Sequence, residues 1–128
     1  MGESSVQTPQ VAAAILGASA YVRYVALKLG DDLWLQQRSD LSDASSSVSD
    51  RYEELLVNPT LLALTAARGK IDCGGLEFVL VRYGNFFQLV HPVRGGHISV
   101  AISSTADPLA LVKPIRELLH INGLLPIV

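Results

Sequence analysis

The chain has 128 residues, 49% hydrophobic and 17% charged, with a formal net charge of −2 and one cysteine. That length fits one domain, burying roughly two thirds of the unfolded chain's surface, so a core forms without cross-links. The composition excludes a disordered chain, a strongly basic nucleic-acid binder, a disulfide framework and a multi-cysteine zinc site.

Targeting signals are absent by pattern. The run from Val11 to Ala20 resembles a leader's apolar stretch with an A-x-A end, but Glu3 precedes it and no Lys or Arg does. Gly2 is followed by Val6, where a myristoylation site carries Ser or Thr. Arg23 and Lys28 interrupt the longest apolar candidate for a membrane span. The sequence predicts a cytoplasmic protein with no membrane insertion.

Residues 1–8 are polar and predict a disordered start, leaving 9–128 as one domain. Thr8-Pro9 pairs a capping side chain with a proline at the first helical position. The helix is expected from Pro9 to about Ala18, burying Val11, Ala14, Ile15 and Ala18. Tyr21 to Leu29 is β-branched and aromatic, Gly30-Asp31-Asp32 has turn chemistry, and Leu33 to Arg38 resumes as a strand, which predicts a hairpin. The serine- and aspartate-rich stretch 39–50 predicts a solvated loop. Asp50 is the expected cap of the next helix, with Glu53 as capping-box partner. Asn58-Pro59 then either kinks that helix or starts a second one, which runs through Leu61, Leu62, Leu64 and Ala67 and stops before Gly74-Gly75.

A three-strand meander follows, Leu76–Tyr83, Phe86–Val93 and His97–Ser103. Gly84-Asn85 and Gly95-Gly96 suit its tight turns. Asp107-Pro108 begins the last helix, about Leu109 to Ile121, with Leu111, Ile115, Leu118 and Leu119 on one stripe and Gly123 at its end. Pro114 is expected to bend it. The order is α-β-β-α-β-β-β-α. Both alternating faces of 76–83 are apolar, so helices must cover the five-stranded sheet on both sides, two on one and one on the other.

Catalytic and metal signals are thin. Cys73 with His91 or His97 and an aspartate has the residue types of a Cys-His-Asp set, but a thiol at a helix end and histidines at strand ends account for them equally. The spacings match no zinc or phosphate-loop pattern. Arg82, Arg94, Arg68 and Lys70 include two that simply suit a helix C-terminus. No catalytic residue, cofactor or metal is assigned, and no enzyme activity is expected.

The stronger signal is geometric. Strand 76–83 comes first in the meander and falls at a sheet edge if the first hairpin sits beside the last strand, and so apolar an edge templates aggregation unless it is paired or covered. Pairing with a second copy across a two-fold axis is the economical solution. The expected interface is Leu61, Leu62, Leu64, Thr65 and Arg68 on helix 59–71, with Leu76, Phe78, Val79, Leu80 and Val81 on the strand.

The element order, the Gly30-Asp31-Asp32 turn, the long helix leading into Leu76-Glu-Phe-Val-Leu-Val-Arg-Tyr83 and the closing strand plus helix resemble the Roadblock (dynein light chain) superfamily, in a single-domain member of bacterial or archaeal kind. The resemblance covers about 9 to 121. It implies an α+β, profilin-like three-layer sandwich and a homodimer with one continuous sheet. It further implies binding to a small Ras-like GTPase, or scaffolding of motor and signalling complexes, without catalysis. The Ser-rich loop and Pro59 depart from the family pattern. The alternative is a small-molecule sensor of PAS, GAF or profilin-like kind. A sensor needs a sizeable pocket with convergent polar groups, whereas an adaptor needs an exposed apolar patch.

Overall fold

The computed structural model describes residues 7–41 and 46–126. Helix α1 (Thr8–Leu16) leads into the hairpin β1 (Val22–Leu29) and β2 (Asp32–Gln37). Helix α2 (Ser47–Tyr52) continues through a π-helical segment (Glu53–Val57) into α3 (Asn58–Asp72). The strands β3 (Val79–Arg82), β4 (Phe86–Val93) and β5 (Gly96–Ser103) follow, then a 3₁₀ turn (Pro108–Leu111) and α4 (Val112–Ile121). All pairings are antiparallel in the order β2-β1-β5-β4-β3, so β2 and β3 are the edges. Among the described residues no helix is long and apolar enough to cross a membrane.

The two faces of the sheet differ in chemistry. On one, Val25, Leu27, Ile98, Val100, Ile102 and Leu89 pack against Val11 and Ile15 of α1 and Ile115 and Leu119 of α4. This is the apolar core, and it absorbs much of the hydrophobic excess. On the other face, under α2 and α3, the strands present Tyr24, Gln88, His97 and Ser99, all buried. Arg38, just beyond β2, closes the end of α1 by donating to the carbonyls of Leu16 (2.8 Å), Ser19 (2.9 Å) and Val22 (2.9 Å). Those carbonyls have no helical partner, so one guanidinium fastens helix to sheet.

Several expected boundaries move. Thr8 is already helical and Gln7 stands at the cap position, while Ala12 rather than Ala14 or Ala18 completes the buried stripe of α1. Helix α2 starts within the Ser-rich stretch, capped by the Ser46 hydroxyl on the Ser49 N–H (3.1 Å), and not by Asp50. Serine serves loops and caps alike, which hid this start. Residues 42–45 of that stretch, and 1–6 of the predicted disordered start, lie outside the described residues. At Asn58-Pro59 the α-helical stretch α3 begins, with Pro59 in its first turn, but without a break in the chain's winding, because the π segment Glu53–Val57 joins it to α2. Pro114 likewise falls in the first turn of α4, where no intrahelical partner is lost.

Strand β3 is shorter than expected, because residues 76–78 would face the segment of β4 that contains Pro92, which has no N–H for the ladder. The β3–β4 turn runs without positive φ at Gly84 or Asn85, whereas the β4–β5 turn uses it at Gly95 (φ 88°). Gly96 is glycine for another reason. A Cβ there would stand 1.7 Å from the Lys28 carbonyl oxygen on β1. Gly96→Ala is therefore expected to push β5 off β1 and cost at least ~3 kcal/mol, read as a lowered urea midpoint with unchanged m.

His91 points from β4 into the apolar side. Its ring stacks on Phe78 (centroids 6.2 Å), and its Nδ1 meets the Pro92 carbonyl oxygen (2.8 Å), while Nε2 has no partner among the described residues. Burial holds its pKa below the usual 6.5. Because the unfolded histidine takes a proton that the folded one refuses, stability falls as pH drops through the ordinary value towards the lowered one. The midpoint of thermal unfolding should be lower at about pH 5 than at about pH 7.5, and His91→Phe should flatten that dependence.

Candidate functional site

The inner face of the π segment carries a carboxylate into the protein. Glu54 is wholly buried. Its Oε2 accepts from the Tyr24 hydroxyl (2.7 Å), and its Oε1 lies 2.8 Å from His97 Nε2 and 3.0 Å from Asn58 Nδ2. Asn58 Nδ2 also reaches the Ser99 hydroxyl (3.3 Å), which receives the Gln88 amide as well. Two strands, β1 and β5, and the long helix thus meet on one carboxylate, and β4 joins them through Gln88 and Ser99. Burial, followed by the neighbouring Glu54 charge, holds the Tyr24 phenol far above its ordinary pKa, so it stays a donor. Alternation on β5 carried a trace of this cluster: His97 and Ser99 separate Ile98 and Val100, so one face of a central strand is polar.

Beyond this bolt the long helix barely touches the sheet. In α3 only Asn58 and Gly69 are buried. Gly69 is where the chain turns back: a Cβ there would meet the Gly75 backbone at 3.1 Å. Of the expected interface residues on α3, Leu61, Leu62 and Thr65 are half-buried, and Leu64 is 68% exposed. Arg68 is exposed and paired with Asp72 (2.7 Å). Val48, Tyr52, Leu56, Leu64 and Ile71 are exposed along the same long helix. Their spacing is close to four residues, and the π segment's slower turn keeps such a spacing on one stripe.

Beside this helix lies the open edge. Leu76, Phe78, Val79, Leu80 and Val81 are all half-buried. Phe78 and Leu80 reach the apolar core, so only part of each is offered outward. Arg82 lies over the Phe87 ring (4.8 Å), and Glu77 meets Arg116 of α4 (3.5 Å).

The thin catalytic set is not assembled. Cys73 is exposed and its thiol reaches Asp72 (3.4 Å), while His97 is bound to Glu54 and His91 to its own strand. Among the described residues no three metal-ligating side chains gather. The basic residues are dispersed, with Arg94 donating to the Pro126 carbonyl (3.0 Å).

A cavity of about 420 Å³ opens between the sheet and the start of the long helix. Its floor is a row in register across four strands, Gln37, Tyr24, Ala101 and Gln88. Ala101, the smallest of them, leaves the pit. Asp50 and Glu53 hang over it from the helix, and Tyr83 to Phe86 close one end. Burial, less the effect of the Tyr83 hydrogen bond, holds the Glu53 carboxyl above its ordinary pKa, and the Tyr83 phenol is pushed up to about 12 by burial and by Glu53.

No protein-family model matches the chain, and no curated protein does. Among solved structures, the gliding protein MglB from Thermus thermophilus superposes with a TM-score of 0.65. The alignment covers 95% of this chain and 98% of that one at 16% identity. The fold is roadblock-like. At that identity the likeness speaks for the sandwich and its topology, which agree with the expected α-β-β-α-β-β-β-α order.

Proposed function

We propose that the chain is a non-enzymatic, homodimeric adaptor that docks a small Ras-like GTPase or holds a motor or signalling complex together. The observation that carries this reading is the open β3 edge beside a long helix that leaves Tyr52, Leu56, Leu64 and Ile71 exposed. An apolar edge and an apolar helix stripe on one side of a molecule are costly to leave in water. A second copy satisfies both at once, because its own edge and stripe are complementary under a two-fold axis. The structural neighbour is a gliding protein, which is in keeping with a motor-associated role. The reading is tested by passing Ras-like GTPases, loaded in turn with GDP and a non-hydrolysable GTP analogue, over the immobilised full chain. Retention in one nucleotide state supports it, and no retention in either state overturns the GTPase part.

The cavity favours a second reading, a small-molecule sensor. Its volume of about 420 Å³ lies in the range of ligand sites, and polar side chains converge on it.

A further inference from the structure

Glu53 is oddly placed for a structural residue. Its carboxylate is half-buried at the cavity, and its one side-chain donor among the described residues is the neutral Tyr83 hydroxyl (3.0 Å). Asp50 lines the same space and Glu54 lies behind it, both adding negative charge. The guanidinium at the cavity, Arg23, already has an interaction of its own. The remaining walls are aromatic. Tyr83 and Phe86 are tilted against each other at 43° with centroids 5.3 Å apart, and Tyr24 lies in the floor. Carboxylate and aromatic faces together favour a positive charge carried on an apolar stem, since ring faces attract cations and the stem fills the pit above Ala101. A carboxylate ligand would be repelled by Glu53, and a neutral one would give that carboxylate no counter-charge, whereas Asp50 already accepts from the Gln37 amide (3.0 Å).

We propose that this cavity binds an alkylammonium group, with its charge on Glu53, its stem over Ala101 and its flank against Tyr83 and Phe86. The inference rests on the sensor reading and is independent of the dimeric adaptor. It supplies a ligand class and a reason for three features at once. Among the described residues Glu53 has no cationic partner, the central strand β5 carries alanine at the floor, and aromatic residues bracket the β3–β4 turn.

The full chain is titrated with 1,5-diaminopentane, with the amide of acetyl-lysine, and with pentanol and pentanoate as neutral and anionic controls. Amide chemical shifts and calorimetry are the readouts. Saturable binding of the amines is expected, with shifts confined to Asp50–Glu53, Tyr83–Phe86 and Ala101. Preference for the free diamine identifies a metabolite-like amine, and preference for the lysine derivative a protein side chain. Glu53→Gln, which keeps the shape, should weaken amine binding about tenfold or more. Ala101→Leu should abolish it by filling the pit, with an unchanged circular dichroism spectrum as the check on folding. Pentanoate or pentanol binding as tightly as the amines, or amine binding unaffected by Glu53→Gln, overturns the ammonium assignment and leaves a ligand site of another class. No saturable binding of any probe up to about 10 mM overturns the sensor reading with it.

Discussion

Glu54→Ala is expected to cost about 3–5 kcal/mol of folding stability, the magnitude seen when one partner of a buried charged cluster is removed. The reason lies in what it leaves behind. Tyr24, His97 and Asn58 all aim at this one carboxylate from 2.7 to 3.0 Å, and none has solvent to turn to. An orphaned buried donor costs about 1–3 kcal/mol. Glu54→Gln keeps an acceptor and the side-chain volume, so it should recover part of the loss. Glu117→Ala, on the exposed side of α4, should stay within about 0.5 kcal/mol of the parent protein. Urea denaturation at neutral pH is the measurement, and a Glu54→Ala loss under about 1 kcal/mol would mean that the cluster does not hold the helix down.

The second large effect is on association. If α3 and β3 form a two-fold interface, the full chain should sediment near twice its 13.7 kDa. Leu64→Glu should then raise the dissociation constant at least ~30-fold, the effect of losing an interface anchor worth about 2 kcal/mol. Leu64 is exposed in the single chain, so the folded protomer should be untouched. Ile121→Glu, 79% exposed at the end of α4, is the control and should leave association unchanged. A protein that sediments at 13.7 kDa at every concentration, or a Leu64→Glu dimer as tight as the parent, would remove the proposed interface.

The two experiments probe different roles of one helix. Its inner side, Glu54 and Asn58, is tied by polar bonds to Tyr24, His97 and Ser99. Its outer side, from Val48 to Ile71, is apolar and open. This inverts the usual amphipathic arrangement, in which the apolar stripe faces the core. An inverted helix is what a docking element needs: fixed by directional bonds on one side, with hydrophobic surface free on the other.

Much of the fold was legible along the chain. Alternation and turn residues placed the strand segments, because a period of two and a positive-φ glycine are local properties. Gly30 and Gly95 mark their turns with φ of 58° and 88°. The apolar doubling of 76–83 correctly put helices on both faces of the sheet, and because β1 does pair with β5, that first strand of the meander stands at the edge. What misled was chemistry with two uses. Serine reads as loop or as cap, and the Ser46 cap emerges only when the chain after it is helical. The π segment left no local signal at all.

While the edge position of β3 waited on the pairing of β1 with β5, the sequence by itself determined the element order and the surplus of apolar side chains. These follow from periodicity and turn stereochemistry, which neighbours in the chain decide among themselves. Only the tertiary structure decided where the surplus goes: one part into the α1/α4 core, another onto the open stripe of α2 and α3. It also decided that Glu54, one of two adjacent glutamates, lies inside while Glu53 borders a cavity. Asn58 is only four residues on, but the other two partners that make this burial tolerable, Tyr24 and His97, are 30 and 43 residues away along the chain. A buried charge is stable only once they converge, so no local pattern announces it.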